Sequence, residues 1–455
     1  MSLPRSAFPS ILPPELAQAL HVADQLRAHA RSPASEQARL ENAQLVHLLA
    51  HARRYSPFWR ARLDAARARR EGGERTALAD LPVLTRRELQ DNADAMRAHW
   101  PGLGSEDVHV ARTSGSVGQP VRVEHYLPAY RPMYGAIARL DDEWQGRDRS
   151  RPLAVVRDLP DGARPGWGGL RLPSERAGEV RLRNLVDHTP QALADWLAEV
   201  RPGYLVTTPS MAGELARIAL ARGDDRVRLH QVMTFAEVVT PELRRLVNDA
   251  FGARITDRYS CEELGWIAMQ CPKHDHLHVM SSNVLLEVVD DAGRPCGPGR
   301  PGRILVTGLL GYAMPLVRYE LGDHGELGEP CDCGLTLPVL RRVIGRSRSF
   351  LRHRDGTLRQ ARLTGEYWRE VAPVREYRVV QYADGLVEAF VTGDAAFDEA
   401  QRERMRAMLG RVLGDDLEIV VTQVERIDWG SRWKRIDVAR IDRLRGEPIP
   451  DAPPA

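Results

Sequence analysis

Lysine is almost missing from this chain. Of its 64 lysine and arginine residues only Lys273 and Lys434 are lysines, so a cation here is arginine unless something demands otherwise. Cysteine is scarce too: five thiols in 455 residues make no disulfide framework. Charge of one sign is not in excess. A formal net charge of +2 gives no bulk attraction to nucleic acid or an anionic membrane. No stretch approaches the roughly 20 apolar residues of a membrane span. The start, MSLPRSAFPSILPPELAQAL, has no charged lead, apolar run and small-residue cleavage site, so no signal peptide is expected and the cytoplasm is the expected address.

What is present is the balance of a large soluble protein, 43% hydrophobic and 28% charged. The length exceeds one ordinary domain. Residues 13–100 carry apolar positions at helical spacing, with Thr85 placed to cap a helix over RREL. From about 105 to 345, strand-like runs (RPLAVV, GYLVTT, LHQVMTF, NVLLEVV, RILVTG) alternate with helical patterns, which predicts α/β layers. After Gly345-Arg346 the chain turns polar and basic, then reads as hairpin, helix and strand. The expectation is an α/β protein of two domains: a large layered domain over 1–345 and a small α+β lid over 346–455, hinged near 346–349.

Four segments can carry chemistry. Thr113-Ser114-Gly115-Ser116-Val117-Gly118-Gln119-Pro120 follows the run VHVAR. Its glycines let successive N–H groups point inward at phosphate oxygens, although GxxxxGK[ST] is absent. Tyr259-Ser260-Cys261-Glu262-Glu263-Leu264-Gly265 follows Phe235-Ala236-Glu237 and Asp257-Arg258. It reads as a strand-to-helix junction whose carboxylate could hold Mg²⁺ against a phosphate. Asp323, in Arg318-Tyr319-Glu320-Leu321-Gly322-Asp323, could accept ribose hydroxyls. Lys434 lies in Trp429-Gly430-Ser431-Arg432-Trp433-Lys434-Arg435. Separately, Cys271-Pro-Lys-His-Asp-His-Leu-His278 and Cys331-Asp-Cys333 offer thiolates and imidazoles suited to tetrahedral Zn²⁺. A helical turn could present either His276 or His278.

In their order and spacing these segments resemble the adenylate-forming superfamily, and within it the phenylacetate–CoA ligase family. HARRYSPFWRARL and LPVLTRREL near the start resemble that family's first helices. The resemblance implies ATP and AMP contacts at Thr113, Ser114, Gly115, Ser116, Gly118, Ala236, Glu237, Asp257, Arg258, Tyr259, Asp323 and Arg346. It implies a magnesium-associated catalytic carboxylate at Glu263, rather than Glu262, and a catalytic lysine at Lys434. It places the acid near Tyr204, Ser210, Phe235, Ser260 and Trp266, and favours a structural zinc on Cys271, His278, Cys331 and Cys333. Gln119 replaces the usual loop lysine, Phe235 a glycine, Glu262 a Ser or Thr, and Trp433 a glycine. The implied reaction activates a small, aromatic carboxylic acid as acyl-AMP, releases pyrophosphate, and transfers the acyl group to coenzyme A. A carrier-protein thiol, an amine or an inorganic nitrogen nucleophile are the alternative acceptors. A zinc-stabilised binding protein without catalysis is the alternative of another class. A homodimer is left open.

Overall fold

Three crossovers that begin alike build the parallel half of the main sheet. Thr189-Pro190, Thr208-Pro209 and Thr240-Pro241 each open a helix. Proline fits the first helical position because its missing N–H would have no partner there. The threonine side chains accept from Ala192, Met211 and Leu243 N–H at 3.2, 3.3 and 3.2 Å. The computed structural model describes residues 12–68, 78–112, 121–167, 170, 175–185, 187–346, 350–356, 358–361, 363, 365–428, 438–441 and 444–445. Thr113–Pro120, Ser347–Ser349 and Lys434 therefore lie outside the described residues.

Two compact units divide the chain between Ile344 and Gly345. The first begins with helices α1 (Pro14–His29), α2 (Ala34–Tyr55), α3 (Pro57–Ala68), α4 (Arg86–Asp91) and α5 (Ala93–Met96). A hairpin of β1 (Val108–Arg112) and β2 (Arg122–Tyr126) and the long α6 (Leu127–Trp144) follow. Then come β3 (Leu153–Arg157), β4 (Gly162–Pro165), β5 (Glu179–Asn184), α7 (Pro190–Val200), β6 (Tyr204–Thr207), α8 (Pro209–Arg222), β7 (Gln231–Thr234), α9 (Pro241–Phe251) and β8 (Arg254–Cys261). The unit finishes with β9 (Gly265–Gln270), β10 (Leu277–Val279), β11 (Val284–Val289), β12 (Pro301–Gly308), β13 (Tyr319–Leu327) and β14 (Val339–Arg346).

These strands form one twelve-stranded sheet in the order β11-β12-β13-β14-β10-β9-β8-β7-β6-β3-β5-β4. From β5 through β3, β6, β7 and β8 neighbours are parallel. Parallel neighbours need crossovers, and α7, α8 and α9 supply them. Leu193, Leu197, Leu215, Val247 and Phe251 of those helices bury against Val156, Leu205, Val232 and Ile255. The opposite face meets α1 and α6 through Met133, Ile137, Leu140, Trp266 and Met269. Beyond β8 the sheet becomes antiparallel. There the first helices pack Leu48, Trp59 and Leu63 on Ile304, Val306 and Leu340. Trp59 is fully buried and donates its ring N–H to the Pro315 carbonyl at 2.8 Å.

The second unit holds a small hairpin, β15 (Phe350–Arg352) with β16 (Leu358–Gln360), and helix α10 (Gly365–Val371). Next come β17 (Glu376–Gln381), β18 (Val387–Thr392), α11 (Glu399–Leu413), β19 (Ile419–Gln423) and β20 (Val438–Arg440). The sheet order is β19-β18-β17-β20. Trp368, Val379, Val387, Met405 and Leu409 form its core.

Candidate active site

Because β3, β6, β7 and β8 run parallel, their carboxyl ends line one edge, which is where open α/β sheets bind ligands. β7 ends at Thr234 and the chain turns over Phe235, Ala236 and Glu237. Ala236 has φ 71°, a left-handed conformation that costs about 1–3 kcal/mol for a residue with a side chain. The Glu237 carboxylate accepts the Ser210 N–H at 2.9 Å and the Ser210 hydroxyl at 3.1 Å. It therefore ties this loop to the first turn of α8, where a negative charge faces the positive end of the helix dipole.

β8 supplies the next groups. The Tyr259 hydroxyl donates to Asp323 Oδ2 at 2.7 Å, joining β8 to β13. Asp257 accepts from the Thr234 hydroxyl at 2.9 Å, and its own N–H donates to Gln270 Oε1 at 3.2 Å. Burial pushes its carboxyl up to about 6, against the Thr234 hydrogen bond and the charges of Arg244 and Arg258. Successive strand residues face opposite sides. Arg258 accordingly sets its guanidinium over the Trp266 ring, 5.0 Å from the centroid.

Glu262, Glu263 and Leu264 form the turn of a hairpin from β8 to β9, not the helix start that their sequence suggests. Gly265, at φ 71°, reverses the chain, and a Cβ there would stand 3.2 Å from the Tyr130 hydroxyl. The six residues of β9 are all buried, so the chain continues as a core strand. Glu263 is itself buried. Tyr319 donates its hydroxyl to Glu263 Oε1 at 3.3 Å, and Arg86 Nη1 lies 3.6 Å away. Arg86 opens α4, whose capping box of Thr85 and Glu88 matches the sequence expectation. His125 of β2 stacks on Tyr130 at 4.3 Å and hydrogen-bonds the Glu262 carbonyl through Nε2 at 2.9 Å. Burial, the largest cause, lowers its pKa, which favours a neutral ring donating that N–H.

Around the strand ends, Arg157 closes β3 and lays its guanidinium 4.3 Å from the Phe235 centroid. Tyr134 of α6 meets Trp266 edge-on at 5.8 Å. Ser260 pairs with Trp266 and is exposed. Tyr204 stands elsewhere, at the amino end of β6. Its hydroxyl accepts the Asp148 N–H at 2.8 Å, and its ring supports the slab beneath Phe235. Arg86, His125, Tyr130, Tyr134 and Arg157 were not singled out from the sequence. Arg86 lies in the capped RREL segment but was not read as a site residue, and the others sit in no segment read as a motif. Arg346 closes β14.

The cysteine and histidine segments also converge. Ligand atoms of Cys271, His276, His278 and Cys331 lie within 4.8 Å of one another. Cys271 and Cys331 sulfurs are 3.8 Å apart, and Cys333 Sγ is 3.2 Å from His278 Nε2. His278 lies in β10 rather than a helical turn, because LHV pairs with both β9 and β14. Its Nδ1 is bonded to the Leu337 carbonyl at 3.2 Å, which aims Nε2 at the thiols. Lys273 and Cys333 donate N–H groups to Cys271 and Cys331 sulfur, each at 3.4 Å. Burial drops the His278 pKa to about 4, the neutral form a metal needs, and pushes Cys333 up to about 12. A cation would reverse that penalty on the thiols. The donor set fits a soft tetrahedral ion.

The family model described as AMP-binding enzyme matches residues 32–313. The chain is 28% identical over 340 residues to a phenylacetate-coenzyme A ligase of Thermus thermophilus, covering 69% of this chain and 71% of that protein. It is 24% identical over 321 residues to a phenylacetate-coenzyme A ligase of Escherichia coli, with the same coverage. Among solved structures, a 2-hydroxyisobutyryl-CoA ligase in the postadenylation state matches with TM-score 0.67 at 19% identity, covering 96% of both chains.

Proposed function

We propose, from the premise that this chain belongs to the AMP-binding enzyme family, that it activates a compact aryl acid with ATP and transfers it to coenzyme A. In the first step an oxygen of the acid attacks the α-phosphorus, the bond to the β-phosphate breaks, and pyrophosphate leaves. In the second step the thiol sulfur of coenzyme A attacks the acyl carbon, loses its proton, and AMP leaves.

One observation supports this reading: hydrogen bonds hold Glu237 to Ser210, Asp323 to Tyr259 and buried Glu263 to Tyr319. Asp323, held by Tyr259, suits ribose hydroxyls. Glu237 fixes the loop that would flank the adenine. Glu263, between Tyr319 and Arg86, is the carboxylate that would associate with Mg²⁺, which neutralises charge on the phosphates. Half-buried Phe235 and exposed Tyr134 would meet an aryl acid, at about 0.5–1.5 kcal/mol per ring pair beyond burial, with buried Trp266 behind Tyr134. Cys271, His278 and Cys331, with Cys333 or His276, would hold a structural zinc whose chemistry is to lock β10 to the Cys331 loop. Among the described residues no helix is long and apolar enough to cross a membrane. The unit from residue 345 onward is assigned the lid role, moving about 346–349 between the two steps.

The test is pyrophosphate release from ATP against an acid panel, with and without coenzyme A. Acid-dependent release and an acyl-CoA product are expected. Release that no acid stimulates overturns the activity, and best turnover on long-chain fatty acids overturns the aryl pocket.

A further inference from the structure

Several buried or half-buried arginines among the described residues meet a carboxylate. Arg147 meets Asp141 and Asp142, Arg303 meets Glu320, Arg318 meets Glu287, and Arg139 meets Glu143 and Glu175. Two arginines of the strand-end edge, half-buried Arg258 and Arg157 at the exposed end of β3, have no such partner. Neither has a carboxylate within salt-bridge distance among the described residues. The Arg258 Nε is buried and has no hydrogen-bond partner among them. Each guanidinium instead lies on an aromatic face, Phe235 for Arg157 and Trp266 for Arg258.

We infer that Arg157 and Arg258 form an anion subsite at the strand-end edge, and that the acid activated here is a compact dicarboxylate whose second carboxylate these guanidiniums hold. The inference rests on the acid-activation reading above.

Three points support it. Both residues share one face of the parallel sheet at its strand-end edge: Arg157 ends β3, and Arg258 faces the side opposite Tyr259 and Asp323. That arrangement leaves the nucleotide groups to one carboxylate and the guanidiniums to another. Second, the two cations repel. Local burial first, then the charge of Arg258, lowers the Arg157 pKa, with only the charges of Tyr134 and Glu262 opposing. Like charges held together at a ligand edge cost free energy that an anion would offset. Third, each guanidinium lies over a ring, 4.3 Å from the Phe235 centroid for Arg157 and 5.0 Å from the Trp266 centroid for Arg258. A stacked guanidinium keeps its in-plane N–H groups for a carboxylate, whose two oxygens match that fork. The ring alone answers part of the charge, but no ring satisfies the buried Nε N–H.

The test uses the full chain and acid pairs that differ by one carboxylate: benzoate with isophthalate and terephthalate, phenylacetate with 4-carboxyphenylacetate, butanoate with glutarate. Two readouts are taken, acid-dependent pyrophosphate release and acid binding by calorimetry without ATP. The wild type is expected to prefer the dicarboxylate of at least one pair by about 10- to 100-fold in kcat/KM, the range of a charge-assisted hydrogen bond. In Arg157→Gln and Arg258→Gln that ratio should fall by a similar factor, and dicarboxylate binding should weaken with it. Equal or better use of the monocarboxylates by the wild type overturns the inference while leaving acid activation intact. A preference unchanged in both variants does the same. Dicarboxylate binding lost in the variants, without pyrophosphate release from any acid, supports the subsite and overturns the activity instead. Neither binding nor release with any pair overturns both.

Discussion

Asp257 shows how one side chain can report on its surroundings. Its carboxyl is held up to about 6, burial being the largest cause. A raised carboxyl pKa means that the folded state binds the proton more tightly than the unfolded chain. The stabilising contribution is therefore full below about pH 4 and is lost as pH rises through about 6. Asparagine has the shape of the neutral acid and can still accept the Thr234 hydroxyl. Asp257→Asn should gain stability relative to the wild type between pH 4 and pH 7, by on the order of 2–3 kcal/mol at most. Thermal unfolding at both pH values measures it, and a difference independent of pH would refute the buried acid. Residues at this scale were unevenly legible. Tyr259, Asp323 and Glu263 could be picked out because they sit in ordered motifs. Arg157 and Arg86 could not, since in a chain rich in arginine neither position carries a signal of its own role. Only the fold sets one over Phe235 and the other beside Glu263.

Elements were read well where periodicity or capping is local. The Thr85 cap and the apolar strand runs form as their sequences suggest. Misreadings fall where a short segment is decided by distant partners. LHV is too brief to show a period, yet it becomes β10 because β9 and β14 both pair with it. Glu262 to Leu264 look like a helix start, but the buried strand after Gly265 makes them a hairpin turn. The β10 case bears on the metal. A metal there would add a link from this three-residue strand, through His278, to the thiols of the Cys331 loop. Metal analysis should find about one zinc per chain. Chelation, and Cys331→Ser, should lower the unfolding temperature together with the metal content. Metal-free protein of undiminished stability would dismiss the site.

For the whole molecule, the proposed chemistry is divided between two units. Apart from Arg346, the described groups proposed for nucleotide and acid belong to the unit ending at Ile344, whereas Lys434 belongs to the other and lies outside the described residues. Its case rests on composition and chemistry. A chain that uses arginine for nearly every cation keeps lysine between Trp433 and Arg435. A surface charge would tolerate arginine. A cation that bridges the acid carboxylate and the α-phosphate would not, because those two anions must come within attack distance. A compact ammonium can sit between them where a broad planar guanidinium cannot. Such a contact strengthens as charge develops on the phosphate, and losing one typically costs about 10²–10³ in rate. Lys434→Ala and Lys434→Arg should therefore lose acyl-AMP formation by about that factor. Thioester formation from preformed acyl-AMP should fall much less, since the phosphate bond is already broken by then. Pyrophosphate release measures the first step, and acyl-CoA from synthetic acyl-AMP the second. Near-normal pyrophosphate release by Lys434→Ala would remove the lysine from the mechanism. Equal loss in both steps would assign it to folding or to nucleotide binding at large.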